Sequence, residues 1–489
     1  MAARMLLSGG DERLSIDPAT GRNRYLTSPT PRDDETPFGS STANTITRLG
    51  YRAAVADLGR VLAVDHGRRN TIQEWIETQR ASLIARFGNR DSDLVFASSG
   101  TDTELFAVLF ATIVAGSPLT NVLMAPAETG SGVPFAARGE RFLSSTPFGG
   151  AKPPGERLEG MEHLDIELET IAILDSRGNP RPAEDVDDDA FRVVSAALAK
   201  GRSALLHLLD VSKTGGGGPS LAAARQIAAL APGRVVVAVD CCQMRSSAKR
   251  VKQYVDAGFL VMLTGSKFAG GPPFSGAMIA PREVFEQARI SKSPLPPGLR
   301  ASTALLDWPE SFRARAAPTA GVHVNLGLAL RWSASLSEID RFSELSSDLA
   351  TQVAAAFEVH VRAVAEGSRH HHPIDCRNNS AEWARTIVPV AIQRRDGRFA
   401  SLREVQKLQA RLLDIAADGA PSRRGRRFQV GQAVCVGDKV ALRVCLGAPT
   451  ISDIVERAVQ SRNVDREMAP LRALLDELFH KADHLMATA

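Results

Sequence analysis

The chain has 489 residues, of which 44% are hydrophobic, 23% charged and 5% aromatic, with a formal net charge of +4. That balance describes a globular chain long enough for more than one domain and a large core. So mild a charge with so few aromatic residues argues against a nucleic-acid-binding surface or base-stacking platforms, and no apolar run approaches the roughly 18 residues that span a bilayer.

The opening MAARMLLSGGDERLS brings charges too soon for a signal peptide. Five cysteines occur without a CxxC pair, two of them adjacent at Cys241 and Cys242, which fits reduced thiols in a cytoplasmic protein. Residues 1–70 read as a polar, Pro- and Ser/Thr-rich arm leading to a helix near Arg52–Leu62. From there to about residue 320 short apolar runs alternate with helix-like stretches. The runs are DLVFAS (93–98), NVLMAP (121–126), SALLHLLDVS (203–212), RVVVAVD (234–240), FLVMLTG (259–265) and GAMIAP (276–281). Between them Thr103–Val114, Leu221–Leu230 and Ala248–Ala257 have helical spacing. Apolar strands without polar alternation, separated by helices, predict an α/β large domain built on a mainly parallel sheet covered on both faces. A long helix beginning near Val322 opens residues 321–489. There the strand-like RTIVPVAIQR and KVALRVCLGAP and the helix-like LREVQKLQARLLDIA and C-terminal tail predict a smaller α+β domain.

Three strand ends carry chemistry. In LVFASSGTDTELFAVLFA a strand runs through a small-residue turn into a helix starting near Thr101. Its free N–H groups, the close approach allowed by Gly100 and the hydroxyls of Ser99 and Thr101 make a phosphate site, although the same residues also suit a plain N-cap. Neither a Walker A loop nor GxGxxG is present. In RVVVAVDCCQMRSS, Asp240 ends an apolar strand, where a carboxylate needs a cationic partner such as a protonated pyridine nitrogen; alone it reads equally as a turn cap. HLLDVSKTGGGGPS places Ser212 and Thr214 in a glycine-rich loop at the sheet edge where open α/β folds bind ligands. In FLVMLTGSKFAGGPPFSGAMIAP, Lys267 follows the next strand; burial there would lower its pKa and make its amine nucleophilic.

Together SGTDTE, SKTG, DCCQ, TGSK and the ALRVCLGAP strand, over about residues 90–450, resemble the fold-type I pyridoxal-phosphate (PLP) enzymes, nearest the class V aminotransferase group. The resemblance implies a PLP-binding large domain over 71–320 and a small domain over 321–489. It also implies a homodimer and a Schiff base between PLP and Lys267. Asp240 would pair with the pyridine nitrogen, Gln243 and Ser212 would contact the ring oxygen, and Gly100, Thr101 and Ser99 would hold the phosphate with Thr264 or Ser266. Arg443 would clamp a substrate carboxylate in a bidentate pair.

Two positions depart from the family pattern. Thr129, in PAETGSG, stands where a ring usually covers the cofactor, and Ser266 stands where a histidine often precedes the lysine. No cysteine occurs in the basic SRRGRRF loop (422–428), and Cys435 and Cys445 fall within strands, which disfavours a desulfurase. His370, His371 and His372 read as a solvated loop rather than a metal site. The resulting expectation is an aminotransferase acting on a small-molecule amino acid or amine. The alternatives are a β-eliminating or kynureninase-like lyase and a non-catalytic PLP-fold binding or regulatory subunit.

Overall fold

The computed structural model describes residues 1–487 apart from 65–66, 150–151, 292–293, 320, 380 and 415–425. The strands, in chain order, are β1 (Glu35–Phe38), β2 (Ser92–Ala97), β3 (Leu119–Met124), β4 (Ile166–Ile171), β5 (Ser203–Leu209) and β6 (Val235–Cys241). They continue with β7 (Leu260–Thr264), β8 (Gly276–Pro281), β9 (His371–Pro373), β10 (Ile387–Ile392), β11 (Arg427–Val436) and β12 (Lys439–Cys445). The first sheet has the order β2-β8-β7-β6-β5-β3-β4 and the second β1-β11-β12-β10-β9. All six apolar runs are strands of the first sheet, and β3 to β7 pair in parallel as expected.

Two features of this sheet and one helix beside it differ from the sequence expectation. β8 runs antiparallel to both β2 and β7, because residues 265–275 contain no crossover helix and a parallel return needs a dozen or more residues. β4 (IELETI) is a strand that the apolar runs do not include. It lies at the sheet edge with its acidic residues toward solvent, so it lacks the apolar signature of a buried strand. A 20-residue helix, Arg68–Phe87, is likewise absent from the elements the sequence predicts. Its polar residues include Gln79 and Arg80, which are buried because they bond backbone carbonyls of later segments.

The helix Gly100–Ala115 is buried on nearly every face, as its apolar composition requires. It packs Phe110 edge-on to Phe285 at 5.1 Å and Phe106 against Trp308 at 5.3 Å. Packing on both sides fixes its N-terminus at the C-terminal edge of the parallel strands. The helix expected from Val322 begins at Leu326, where the Asn325 side chain accepts from the Leu328 N–H at 3.0 Å.

The 1–70 segment is tied down at several points. β1 pairs in parallel with β11 of the C-terminal sheet. Arg331, fully buried, donates to the carbonyls of Leu6, Ser8 and Gly9 and to that of Phe274. The histidine run is not a solvated loop. His371 and His372 lie in β9, with His371 buried and edge-on to Phe479 at 5.0 Å. No cluster suited to a metal occurs among the described residues, and none of the described helices is long and apolar enough to cross a membrane. The SRRGRRF loop lies outside the described residues as far as 425; Arg427 begins β11.

Candidate active site

Where parallel strands end, their loops and the arm enclose a cleft of about 610 Å³. Asp240 and Lys267 both line it. They come from adjacent strand ends, since Leu209, Asp240 and Met262 stand side by side across β5, β6 and β7. The Asp240 carboxylate accepts the Cys242 N–H at 2.9 Å. Lys267 sits half-buried just beyond β7. The Asn44 side chain of the arm donates to the Ser266 and Lys267 carbonyls at 3.1 and 2.6 Å, fixing the backbone while the amine has no ion-pair partner among the described residues. Beneath Asp240 a buried His207 has its Nε2 3.2 Å from Glu104 Oε1. Burial alone would lower the His207 pKa, but the Glu104 carboxylate outweighs it and holds the pKa above its usual value.

The SGTDTE turn is the start of a long helix, as its residues suggest. Ser99 is the N-cap and its hydroxyl oxygen accepts from the Asp102 N–H at 3.3 Å. Ser99, Gly100 and Thr101 line the cleft together with Thr264 and Ser266, whose hydroxyls bond each other at 2.6 Å. A Cβ on Gly100 would lie 2.9 Å from the Cys242 sulfur, so a side chain there would close the approach to the helix N–H groups.

Asp102 faces inward and its carboxyl shares a 2.6 Å hydrogen bond with the Ser99 hydroxyl. Burial pushes its pKa up to about 6, against the pull of Ser99 and Arg13. The folded protein therefore holds this proton more tightly than the unfolded chain does. Its contribution to stability falls as pH rises from about 4 to 6 and stays unfavourable above. Asp102→Asn, which keeps an acceptor for Ser99, is expected to gain about 2 kcal/mol over the wild type near pH 8 and nothing near pH 4 in urea unfolding. An equal difference at both pH values would show that Asp102 ionises freely.

Not every expected residue reaches the cleft. Ser212 is buried and its hydroxyl oxygen accepts the N–H groups of Thr214 and Gly216 at 3.2 and 3.1 Å. It shapes the loop, and the next residue, Lys213, lines the cleft instead. Gln243 lines the cleft while its amide donates to the Ser41 carbonyl at 3.1 Å. Thr129 also lines it, its hydroxyl donating to the Pro126 carbonyl. Arg443 is 3% exposed and already engaged. Nε donates to Gln432 O, Nη1 to the Ser41 and Lys213 carbonyls, and Nη2 to the Thr42 hydroxyl. With one N–H left, it has no free fork for the bidentate clamp expected of it.

Sequence reasoning missed Lys213 and the arm's residues. Arg13 contacts Ser99 Oγ at 3.3 Å, pairs with Asp11 at 2.6 Å, and lies over the Phe274 ring at 4.8 Å. Tyr25, Ser41 and Thr42 line the cleft as well. Three non-glycine residues at or near this cleft, Ala125, Met244 and Phe274, hold positive φ values of 40°, 54° and 71°, strain of the kind that clusters at functional sites.

Solved structures share this arrangement of elements. Cysteine desulfurase CsdA from Escherichia coli aligns with a TM-score of 0.52 at 13% identity over 89% of this chain and 95% of its own. A phosphoserine aminotransferase from Cytophaga hutchinsonii gives 0.51 at 11% identity over 88% and 99%. The glutamate decarboxylase domain of a Vibrio parahaemolyticus enzyme gives 0.52 at 13% identity over 92% and 80%. The chain has the fold-type I architecture of PLP enzymes. No family model and no curated protein matches it. The three fold-type I structures are named for three different reactions, so the shared fold does not select one.

The donor set fits PLP. A strand-end carboxylate, an amine without an ion-pair partner among the described residues, and a helix start kept open by glycine and flanked by hydroxyls share one cleft. These match the needs of a ring nitrogen, an aldehyde and a phosphate.

Proposed function

We propose that the protein is a PLP-dependent enzyme acting on an amino acid or amine, as an aminotransferase. The observation that carries this reading is the convergence of Lys267, Asp240 and the Ser99–Thr101 helix start on one cleft. When bound there, PLP supplies an electron sink for a carbanion at the substrate α-carbon.

The chain's own residues would do the rest. The N–H groups at the helix start, with the Ser99 and Thr101 hydroxyls, would hold the phosphate. Asp240 would keep a proton on the ring nitrogen, its carboxylate held by the Cys242 N–H. Gln243 and Thr129 would border the ring. The Lys267 amine would remove the substrate α-proton and return a proton to complete the transfer. Arg443 would orient the substrate carboxylate. The arm, packed over the cleft, would exclude water.

The test is direct. Added PLP is expected to give the protein a visible absorbance band. Incubation with a panel of amino acids is then expected to convert the cofactor to pyridoxamine phosphate. Protein that stays colourless with added PLP overturns the reading, and release of pyruvate or alanine with the band retained replaces transamination by a lyase reaction.

A further inference from the structure

Four cations that line the cleft have no carboxylate within ion-pair distance among the described residues: Arg24, which is exposed, and Lys213, Lys267 and Arg443. Arg13 is paired with Asp11, and Asp240 and Lys267 are engaged in the reading above, on which this inference rests. Arg443 has one N–H left, while the Lys213 ammonium spends one of its three on the Thr129 carbonyl at 3.2 Å. The two residues adjoin, since Arg443 Nη1 also reaches the Lys213 carbonyl at 3.4 Å.

The groups facing Lys213 are Arg443, Glu128, Lys267 and Cys435. Glu128 is buried, and its carboxylate accepts the Thr214 hydroxyl. It balances one of Lys213 and Arg443 and leaves one positive charge, partly withdrawn from water, without a counterion, which is costly. A single carboxylate brought by the substrate closes that balance. An amine without a carboxylate leaves the charge uncompensated, and a diacid overshoots it.

We propose that Lys213 is a substrate-binding residue that shares one carboxylate with Arg443, so that the substrate is a monocarboxylic amino acid and not a simple amine. Burial, and then the charge of Arg443, push the Lys213 ammonium down to about 8. Above that pH the empty site has lost a proton that a bound carboxylate draws back, so binding and proton uptake are linked.

Calorimetric titration of the PLP-loaded protein with propionate, in buffers of different ionisation enthalpy at about pH 8.5, reads this linkage. The wild type is expected to bind propionate with proton uptake and to ignore propionamide, which has the same shape, no charge and no amine that could react with the cofactor. Lys213→Met is expected to weaken propionate binding about tenfold, the worth of one charge-assisted hydrogen bond, and to abolish the uptake. Lys213→Arg is expected to keep the affinity and lose the uptake, which separates charge from titration and does not depend on the Met variant folding. Unchanged affinity and uptake in Lys213→Met, or equal binding of propionate and propionamide by the wild type, overturns the proposal. Failure to take up PLP would instead overturn the proposed function, with the propionate titration of the unloaded protein still deciding the anchor.

Discussion

Lys267→Ala is expected to lose the visible absorbance of bound PLP and to lower turnover by roughly a thousandfold or more, since the proposed function gives that amine both covalent attachment and proton transfer. The comparison that gives this force is the second lysine of the cleft. Lys213 is an amine whose pKa burial lowers to about 8, and a site with two lysines invites the question of which holds the cofactor. In the proposed function that role falls to Lys267, for reasons of position. It follows β7, next to the β6 strand end that carries Asp240, and its backbone is held by Asn44. Lys213 is hydrogen-bonded to the Thr129 carbonyl beside Arg443, at the side where a carboxylate belongs. Lys213→Met is therefore expected to keep the visible band that Lys267→Ala loses. A band that survives in Lys267→Ala and vanishes in Lys213→Met would exchange the two roles.

Sheet and site were legible in the sequence to different depths, for physical reasons. Buried parallel strands need continuous apolar runs, so β3, β5, β6 and β7 announce themselves, and the residues at their ends, Asp240 and Lys267, inherit that clarity. The helix start at Ser99–Thr101 is legible because capping chemistry is local. Nothing local marks β4, whose outward acidic residues suit an edge strand and hide the period. Nor could a pattern of neighbours show that Arg13 and Tyr25 lie at the same cleft as Lys267, because chain closure over some 250 residues brings them there. The exchange of Ser212 for Lys213 has a finer cause. Both stand in one glycine-rich loop, and which side chain points inward depends on the turn that the Ser212 hydroxyl builds with Thr214 and Gly216. That turn is a property of the folded loop.

The arm's attachment leads to the second large effect. Arg331 is fully buried in the Leu326–Ser343 helix and donates 2.6 to 3.1 Å hydrogen bonds to four carbonyls, those of Leu6, Ser8, Gly9 and Phe274. Burial pushes its pKa down to about 9, so the group is still charged at neutral pH. Replacing it by methionine fills a similar volume and relieves the desolvation of a cation, which by itself would stabilise. Against that stand the four carbonyls, each losing its donor at a cost of about 1–3 kcal/mol if it stays dry. Three of them, those of Leu6, Ser8 and Gly9, can escape the cost by swinging the 1–14 segment into water, but that movement takes Arg13 away from Ser99 and opens the cleft. The carbonyl side outweighs the desolvation gain, and Arg331→Met is expected to lose about 3 kcal/mol in urea unfolding. Its affinity for PLP is expected to fall at the same time, although no atom of Arg331 lines the cleft. Arg331→Lys, which keeps the charge but cannot reach all four acceptors at once, should fall between. A methionine variant with wild-type stability and wild-type PLP affinity would mean that the arm stays docked without this arginine, and that the cleft does not depend on it.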